Sequence, residues 1–249
     1  MNNQQPLPYR TEIRQSGPNP VDVFADVTWS AGDLEHASAN QILDYALRKY
    51  GDRLGFMTAL GYSGIVLMDL LRQRLPSFKA YFIDTGFHFP ETLELLERLQ
   101  EEWKIEFIRL GPSLSDEQID SIIGPRAWER QPDLCCLYRK VEPMLRVLET
   151  KDAWIAALRR DQAPTRGSIA PIQLDRRGTL KIYPLARWSA ADCWEYIRQH
   201  DLPTNPLHEE GYLSIGCTHC TAPVKAGESE RAGRWQMSAK TECGLHDNR

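Results

Sequence analysis

The sequence LGFMTALGYSGIVLMDLLRQRLPSFKAYFIDTG, residues 54–86, decides the fold. Residues 54–60 form a short apolar run that is typical of a buried strand, and the glycine-containing turn GYSG follows it. Residues 65–75 then carry apolar side chains at helical spacing, and KAYFIDTG predicts a second buried strand. Strand, loop, helix and strand make a βαβ unit, so the two strands are expected to lie parallel.

The same alternation extends in both directions along the chain. Apolar spacing predicts a helix in residues 39–50, and PETLELLERLQEEW predicts another that begins with a proline in its first turn. KIEFIRLG follows as a strand, and KIYPLARWSAADCWEYIRQHDLP predicts a strand, an N-cap at Ser189 and a helix that ends before Pro203. This alternation predicts an α/β fold with a doubly wound, mostly parallel sheet.

Length and composition suit one large domain with appendages. The chain has 249 residues, of which 42% are apolar, enough to bury a full core. Helical and strand periodicity fades from Asn205 onward, where Gly, Pro, Cys and charged residues take over. We therefore expect an α/β domain with an N-terminal extension in residues 1–204 and a mobile C-terminal segment in residues 205–249.

Charge and hydropathy exclude several classes of protein. The 30 basic and 34 acidic residues give a net charge of -4, so no global field favours nucleic acid or a membrane. No apolar run approaches the ~20 residues of a membrane span, and the N-terminus lacks the basic-then-apolar order of a signal peptide. We expect a cytoplasmic protein that holds any anion through local groups.

Two loops are expected at the same edge of the sheet, because ligands of parallel sheets bind at the carboxyl ends of the strands. TALGYSGIVL and FIDTGFHFPE place small and polar residues there: Gly61, Ser63, Gly64, Asp84 and Thr85. Backbone N–H groups in such loops, together with a helix N-terminus, can hold an anion. The alternative is that Gly61 and Gly64 only form a tight turn, and the loop matches neither the Walker nor the dinucleotide fingerprint.

Six unevenly spaced cysteines favour metal binding or redox chemistry over a disulfide framework. Adjacent Cys135 and Cys136, together with Cys217 and Cys220, supply four thiolates, enough for a [4Fe–4S] cluster or a tetrahedral zinc ion. Structural zinc favours two spaced pairs, so the tandem Cys-Cys indicates iron–sulfur. Cys193 has the pattern of a buried helix cysteine.

The last cysteine, Cys243, lies in KTECGLH, residues 240–246. A structural cysteine is usually buried, whereas this one has polar and charged neighbours, with the flexible Gly244 beside it. We interpret Cys243 as a reactive thiol on a segment that moves.

Five segments together resemble the assimilatory sulfonucleotide reductases, which reduce adenylyl sulfate (APS) or phosphoadenylyl sulfate (PAPS): FIDTGFHFPET, CCLYRK, GCTHCTAPV, ERAGRW and ECGLH. The resemblance spans about residues 54–246. It implies a Rossmann-like fold related to the PP-loop ATP pyrophosphatases. It also implies that Cys243 is the nucleophile. Cys135, Cys136, Cys217 and Cys220 would hold a [4Fe–4S] cluster, as in the branch of the family that mostly reduces APS.

The resemblance also implies roles for basic residues. Lys140 would lie close to both cluster and substrate, and His246 would help to hold the closed tail. The phosphosulfate would be bound by three arginines, Arg166, Arg231 and Arg234. Arginine suits a bidentate grip on sulfate or phosphate oxygens, although each of the three taken alone could be a solvated surface charge.

The implied reaction needs a mobile tail. Cys243 would attack the sulfate sulfur, expel AMP and become an S-sulfonate, from which a dithiol such as thioredoxin would release sulfite. One departure concerns the substrate: cluster-bearing members commonly read S-F-G-A-E-D in the phosphate loop, whereas TALGYSGIVL resembles the loop of some PAPS reductases. APS is the expected substrate, PAPS or dual use is the alternative, and homo-oligomer formation is left open.

Two other classes compete with this interpretation. A PP-loop ATP pyrophosphatase or thiolation enzyme would share the fold, but it needs S-G-G-x-D-S, and GYSGIVL has no Asp-Ser after its glycine. A non-catalytic zinc or iron–sulfur module would use the four cysteines and leave Cys243 without a purpose.

Overall fold

The computed structural model describes residues 31–174 and 178–246. Residues 1–30, where the predicted N-terminal extension begins, lie outside the described residues. Within them, one sheet is built from β1 Leu54–Thr58, β2 Lys79–Ile83, β3 Glu106–Leu110, β4 Ala153–Ile155, β5 Ile172–Leu174 and β6 Leu180–Ile182. The strand order is β3-β2-β1-β4-β6-β5. Neighbouring strands run parallel except β5, which is antiparallel to β6. The predicted mostly parallel sheet is confirmed.

Helices connect β1 to β2, β2 to β3 and β3 to β4 in the alternating order that the sequence predicts, whereas only short 3₁₀ turns lie between β4 and β5. The helices are α1 Ala31–His36, α2 Ala39–Tyr50, α3 Tyr62–Arg72, α4 Pro90–Trp103, α5 Asp116–Ile123, α6 Ala127–Arg130, α7 Pro132–Cys136, α8 Glu142–Leu148 and α9 Ala190–Gln199. A π-helical turn, Leu137–Val141, joins α7 to α8. Ser189 caps α9 as predicted, since its hydroxyl accepts from the Asp192 N–H in a capping box.

The βαβ unit β1-α3-β2 is present, but its connection differs from the prediction. The sequence predicts that GYSG is a turn before the helix, whereas α3 already begins at Tyr62 with Gly61 as its N-cap. Leu60, at φ 56°, makes the left-handed bend instead. Gly64 is helical, and a Cβ there would lie 3.0 Å from the Thr58 hydroxyl, so its small size lets α3 pack closely on β1.

Side chains on the two faces of the sheet belong to two separate cores. Alternation along β4 puts Ala153 and Ile155 in a large core with helices α2, α3, α4 and α9, while Trp154 points into a second core. The second core contains Met144 of α8 and, at its margin, Leu245 of the C-terminal segment. The doubly wound arrangement is therefore present, and the end of the chain packs on the second face.

Cys193 lies inside the large core, as the sequence predicts. Its side chain on α9 is fully buried, and burial raises the pKa of this thiol to about 11. Cys193 therefore stays protonated at neutral pH and contributes as a small apolar group.

Replacing this buried thiol tests its packing role. Cys193→Ala should lower the free energy of unfolding by about 1 kcal/mol, because only one small group is removed. Leu43→Ala in the same core should cost about 2–5 kcal/mol. Urea denaturation of both variants provides the measurement, and a cost for Cys193→Ala as large as that for Leu43→Ala would contradict a packing role alone.

Candidate active site

The loop after β2 is tied directly to the C-terminal segment. Thr85 is buried, and its hydroxyl lies 3.3 Å from the Cys217 sulfur. The Thr218 N–H donates to the Phe87 carbonyl at 2.8 Å, and Arg139 Nη1 donates to the Thr85 carbonyl at 3.2 Å. The Asp84 carboxylate accepts from the Gly86 N–H at 3.1 Å and so shapes its own loop. The carboxyl edge of the sheet is thus where the two halves of the site meet.

Four cysteines line one recess at this edge. Cys135 and Cys136 come from α7, whereas Cys217 and Cys220 come from the C-terminal segment, and all four are free thiols. The remaining lining residues are Phe87, Trp128, Pro132, Arg139, Lys140 and His219. Among the described residues, no three or more His, Cys, Asp or Glu side chains already form a metal-binding group. The structure therefore brings the four donors to one place without a preformed coordination geometry.

The recess combines buried thiols with buried positive charge. Burial raises the pKa of Cys135 to about 11 and that of Cys136 to about 12. For Cys217 burial acts in the same direction, but Lys140 and the Thr85 hydroxyl outweigh it and lower the pKa below the usual value. Burial likewise opposes the charge of Lys140, and the neighbouring cysteine sulfurs nevertheless raise its pKa. Lys140 and the thiols therefore stabilise each other's charged forms.

Cys243 lies beside this recess, at the junction of the predicted cluster and the predicted anion site. The part-buried thiol is close enough to Cys136, Lys140 and Arg231 to interact with each electrostatically. Gly244 passes the π-helical turn so closely that a Cβ would lie 3.4 Å from Val141 Cγ2. The predicted nucleophile and the predicted ligands are thus neighbours.

Glu242, the residue before Cys243, is bound by two of the predicted phosphosulfate arginines. Arg166 donates from Nε and Nη2 to the two carboxylate oxygens, each at 2.8 Å, and Arg231 Nη2 donates at 3.1 Å. Burial alone would raise the pKa of Glu242, but the hydrogen bonds and charge of Arg166, with the charge of Arg231, hold it below its usual value. Arg234 instead donates to the Cys220 carbonyl at 3.3 Å and to the Ser214 hydroxyl at 3.2 Å.

The ring of the part-buried His246 lies in an aromatic pocket on the second face of the sheet. Its ring stacks on Trp154 with centroids 5.2 Å apart, and it meets Tyr183 edge-on at 6.1 Å. Lys181 lies over the same Trp154 ring, 5.9 Å from its centroid. Together with the packing of Leu245, these contacts dock the last described residues of the tail against the domain.

Comparison of the sequence with known protein families identifies the family of this chain. The model of the phosphoadenosine phosphosulfate reductase domain matches residues 53–223. The chain belongs to this family. The predicted resemblance to the sulfonucleotide reductases is therefore confirmed.

Two curated relatives of this sulfonucleotide reductase differ in the substrate that their names give. An adenosine 5'-phosphosulfate reductase of Halalkalibacterium halodurans is 46% identical over 215 residues, covering 86% of this chain and 93% of the relative. A phosphoadenosine 5'-phosphosulfate reductase of Gloeobacter violaceus is 48% identical over 220 residues, covering 87% and 91%.

A solved structure is similar to this reductase over most of the chain. The crystal structure of a phosphoadenylyl-sulfate reductase from Candida auris, in a phosphate complex, matches with a TM-score of 0.65 at 27% identity. The match covers 79% of this chain and 99% of the other. The predicted Rossmann-like fold is confirmed. Within the described residues of this reductase, no helix combines the length and the apolar character that a membrane span requires.

Sequence reasoning missed Arg159, which is more buried than any other arginine that the structure of this reductase describes. Arg159 follows β4 and has no exposed side-chain surface; it donates to the Ser63 hydroxyl, to the Tyr62 hydroxyl at 2.7 Å and to Glu230 at 2.7 Å. The hydroxyl of Ser63, a predicted anion ligand, is therefore engaged by Arg159. The sequence did contain a signal for Arg159: charged residues follow the apolar run of β4, at the carboxyl edge of the sheet where ligands bind.

The pKa of His246 provides a test of tail docking. Burial, followed by the nearby charges of Arg166, Lys181 and Arg231, holds the pKa of this imidazole well below 6.5. An undocked tail would bind a proton first, so docking should be fully stable above about pH 6.5 and weaken as the pH falls below it.

NMR of the histidine ring signals measures this directly. In the native protein the His246 ring should remain neutral at pH 6.5, whereas in urea it should titrate near about 6.5. Titration of His246 near its denatured value in the native protein would show that the tail is not docked in solution.

Proposed function

We propose that this protein reduces APS to sulfite and AMP in sulfate assimilation, with Cys243 as the nucleophile and a dithiol such as thioredoxin as the reductant. One observation carries the proposal: Cys243 lies in a docked tail between the four-thiol recess with Lys140 and the arginines that suit a phosphosulfate. The names of several relatives of this chain support the same reaction.

The proposed chemistry consists of three thiol displacements. The Cys243 thiolate attacks the sulfate sulfur, the bond from that sulfur to the bridging oxygen breaks, and AMP leaves with the electron pair. A dithiol then attacks Cys243 Sγ and expels sulfite, leaving a mixed disulfide. The second thiol of the donor resolves this disulfide, so the donor is oxidised by two electrons and Cys243 is restored.

The proposed binding residues divide by position. At the N-terminus of α3, Gly61, Ser63 and Gly64 would face the nucleotide through backbone N–H groups, since the Ser63 hydroxyl already bonds to Arg159. Asp84 and Thr85 would shape the neighbouring loop after β2. The phosphosulfate and the closed tail would be held by Lys140, Arg166, Arg231, Arg234 and His246.

The recess fits a [4Fe–4S] cluster by the chemistry of its donors. Four thiols from two segments face one cavity, and the pKa values of Cys135 and Cys136 are raised, so they would ionise only when a metal replaces the proton. Arg139 and Lys140 beside them would offset the negative charge of thiolate ligands. When bound, the cluster would supply a fixed charge centre beside Lys140, and Cys135, Cys136, Cys217 and Cys220 would hold it.

We further propose that residues 1–204 form the sulfonucleotide-binding domain and that residues 205–249 act as a moving segment. The docked tail presents Cys243 to the substrate, and its release would present the same thiol to the reductant. The six free cysteines suit a reducing compartment, and we therefore place the reaction in the cytoplasm.

PAPS reduction, or use of both substrates, is the second candidate function. The Gloeobacter violaceus relative is named for PAPS, and the loop TALGYSGIVL lacks the Ala-Glu-Asp run. A 3′-phosphate adds about two negative charges and needs spare donors near the ribose. This loop contains no lysine or arginine, which favours APS.

Side-by-side kinetics with the two nucleotides test the substrate. Sulfite release should show a higher kcat/KM for APS than for PAPS, and the reverse order would overturn the substrate assignment while leaving the thiol chemistry intact. Without a dithiol, intact mass spectrometry should find Cys243 heavier by one SO₃ group. Cys243→Ser should gain no such mass and still bind nucleotide, and a sulfonate on another cysteine would contradict the assigned nucleophile.

Metal analysis tests the cofactor. Protein purified without oxygen should be brown and contain about four irons per chain. Serine at any one of the four ligand positions should lower both iron content and activity, whereas Cys193→Ala, matched in burial, should retain both. One zinc per chain without iron would refute the cluster, and iron loss from Cys193→Ala would show that the ligand set is wrong.

A further inference from the structure

Glu242 occupies the bidentate edge of Arg166. The Nε and Nη2 atoms of Arg166 both bond to Glu242, and Nη1 bonds to the Gln162 side chain at 2.5 Å. A sulfate or phosphate group would need the same planar pair of N–H groups. An anion therefore cannot take this edge while Glu242 holds it.

The charges around Glu242 are unbalanced. One carboxylate faces two guanidiniums, and all three side chains are largely buried, with 14% of Glu242 exposed against 9% of Arg166 and 12% of Arg231. Among the described residues, the buried Arg231 Nε finds no hydrogen-bond partner. Burial, and then the charge of Arg166, lower the pKa of Arg231 to about 10. This corner has more positive charge than Glu242 neutralises, and it retains a free donor for an anion.

The tail is held on both sides of Cys243. Glu242 binds the arginines on one side, and Leu245 with the His246–Trp154 stack holds the other. The second attachment is aromatic and apolar, so an anion does not compete for it. Loss of the first attachment alone would leave Cys243 tethered near its docked position.

Resting on the proposed function, we propose that Glu242 is a positioning residue that occupies the sulfonucleotide's arginines in the free enzyme and is displaced from them when the phosphosulfate binds. Glu242 then keeps Cys243 docked and the arginines ordered between turnovers. Substrate affinity is reduced by the free energy of breaking the Glu242 contacts, and the Leu245–His246 attachment keeps the thiol at the site.

Glu242→Gln removes the competing charge with little change in shape. APS binding is measured by calorimetry in the Cys243→Ser background, where no turnover occurs. The added Glu242→Gln change should tighten APS binding by at least about fivefold, as for a coupling of 1 kcal/mol or more. Unchanged or weaker binding would overturn the proposal, because a residue that merely supports the site would weaken binding when altered.

Glu230→Gln is the matched control. Glu230 is also a tail carboxylate, with 15% exposed, and it bonds to Arg159 and to Tyr62, neither of which is assigned to the phosphosulfate. This variant should not tighten APS binding. Equal tightening by both variants would point to a general charge effect and overturn the specific role of Glu242.

A second measurement needs no variant of Glu242. Lys240 lies two residues before Glu242, its side chain is only 6% exposed, and it forms an ion pair with Asp133. Trypsin cleavage after Lys240 therefore reports release of this part of the tail. Sodium sulfate should accelerate cleavage of the wild-type protein relative to sodium chloride at matched ionic strength, and slower cleavage would overturn the proposal. If the Cys243→Ser protein binds neither APS nor PAPS, the proposed function fails, while the sulfate result still decides the role of Glu242.

Discussion

Arginine keeps its proton in proteins, so every guanidinium buried at the carboxyl edge of this sheet requires an anion. Arg159 forms an ion pair with Glu230, and both Arg166 and Arg231 form ion pairs with Glu242. Both carboxylates belong to the C-terminal segment, which therefore completes the domain electrostatically. The ammonium group of Lys140 is stabilised in a similar way by the sulfurs of nearby cysteines. Residues 205–246 thus supply carboxylates to buried guanidiniums at this edge.

The same constraint relates the recess to the anion site. Lys140 interacts with Cys217 and with Cys243, so one ammonium group couples a thiol of the recess to Cys243. Around Glu242, the two guanidiniums of Arg166 and Arg231 face one carboxylate. The excess positive charge suits this part of the site to an anionic ligand. A site that satisfied its own charges completely would have no comparable affinity for a sulfonucleotide.

Local patterns in the sequence predicted those features that depend on local physics. Apolar periodicity and capping residues identified β1, β2, α4 and the Ser189 N-cap. The spacing of the cysteines identified the four cysteines that line the recess. The start of α3 at Tyr62 was missed, because Leu60 makes a left-handed bend that apolar periodicity does not show. The partners of Arg159 and Glu242 lie 71 and 76 residues away, and one sequence without its fold does not pair charges over such separations.

The contact between the Thr85 hydroxyl and the Cys217 sulfur joins residues 132 positions apart. During synthesis, Cys135 and Cys136 emerge well before the other pair, and the loop that anchors Cys217 is fixed only once β2 has paired in the sheet. The four-thiol recess is therefore a late product of folding with high contact order. The four thiols can act together only in a nearly complete polypeptide, and a truncated or slowly folding chain would expose them to oxidation.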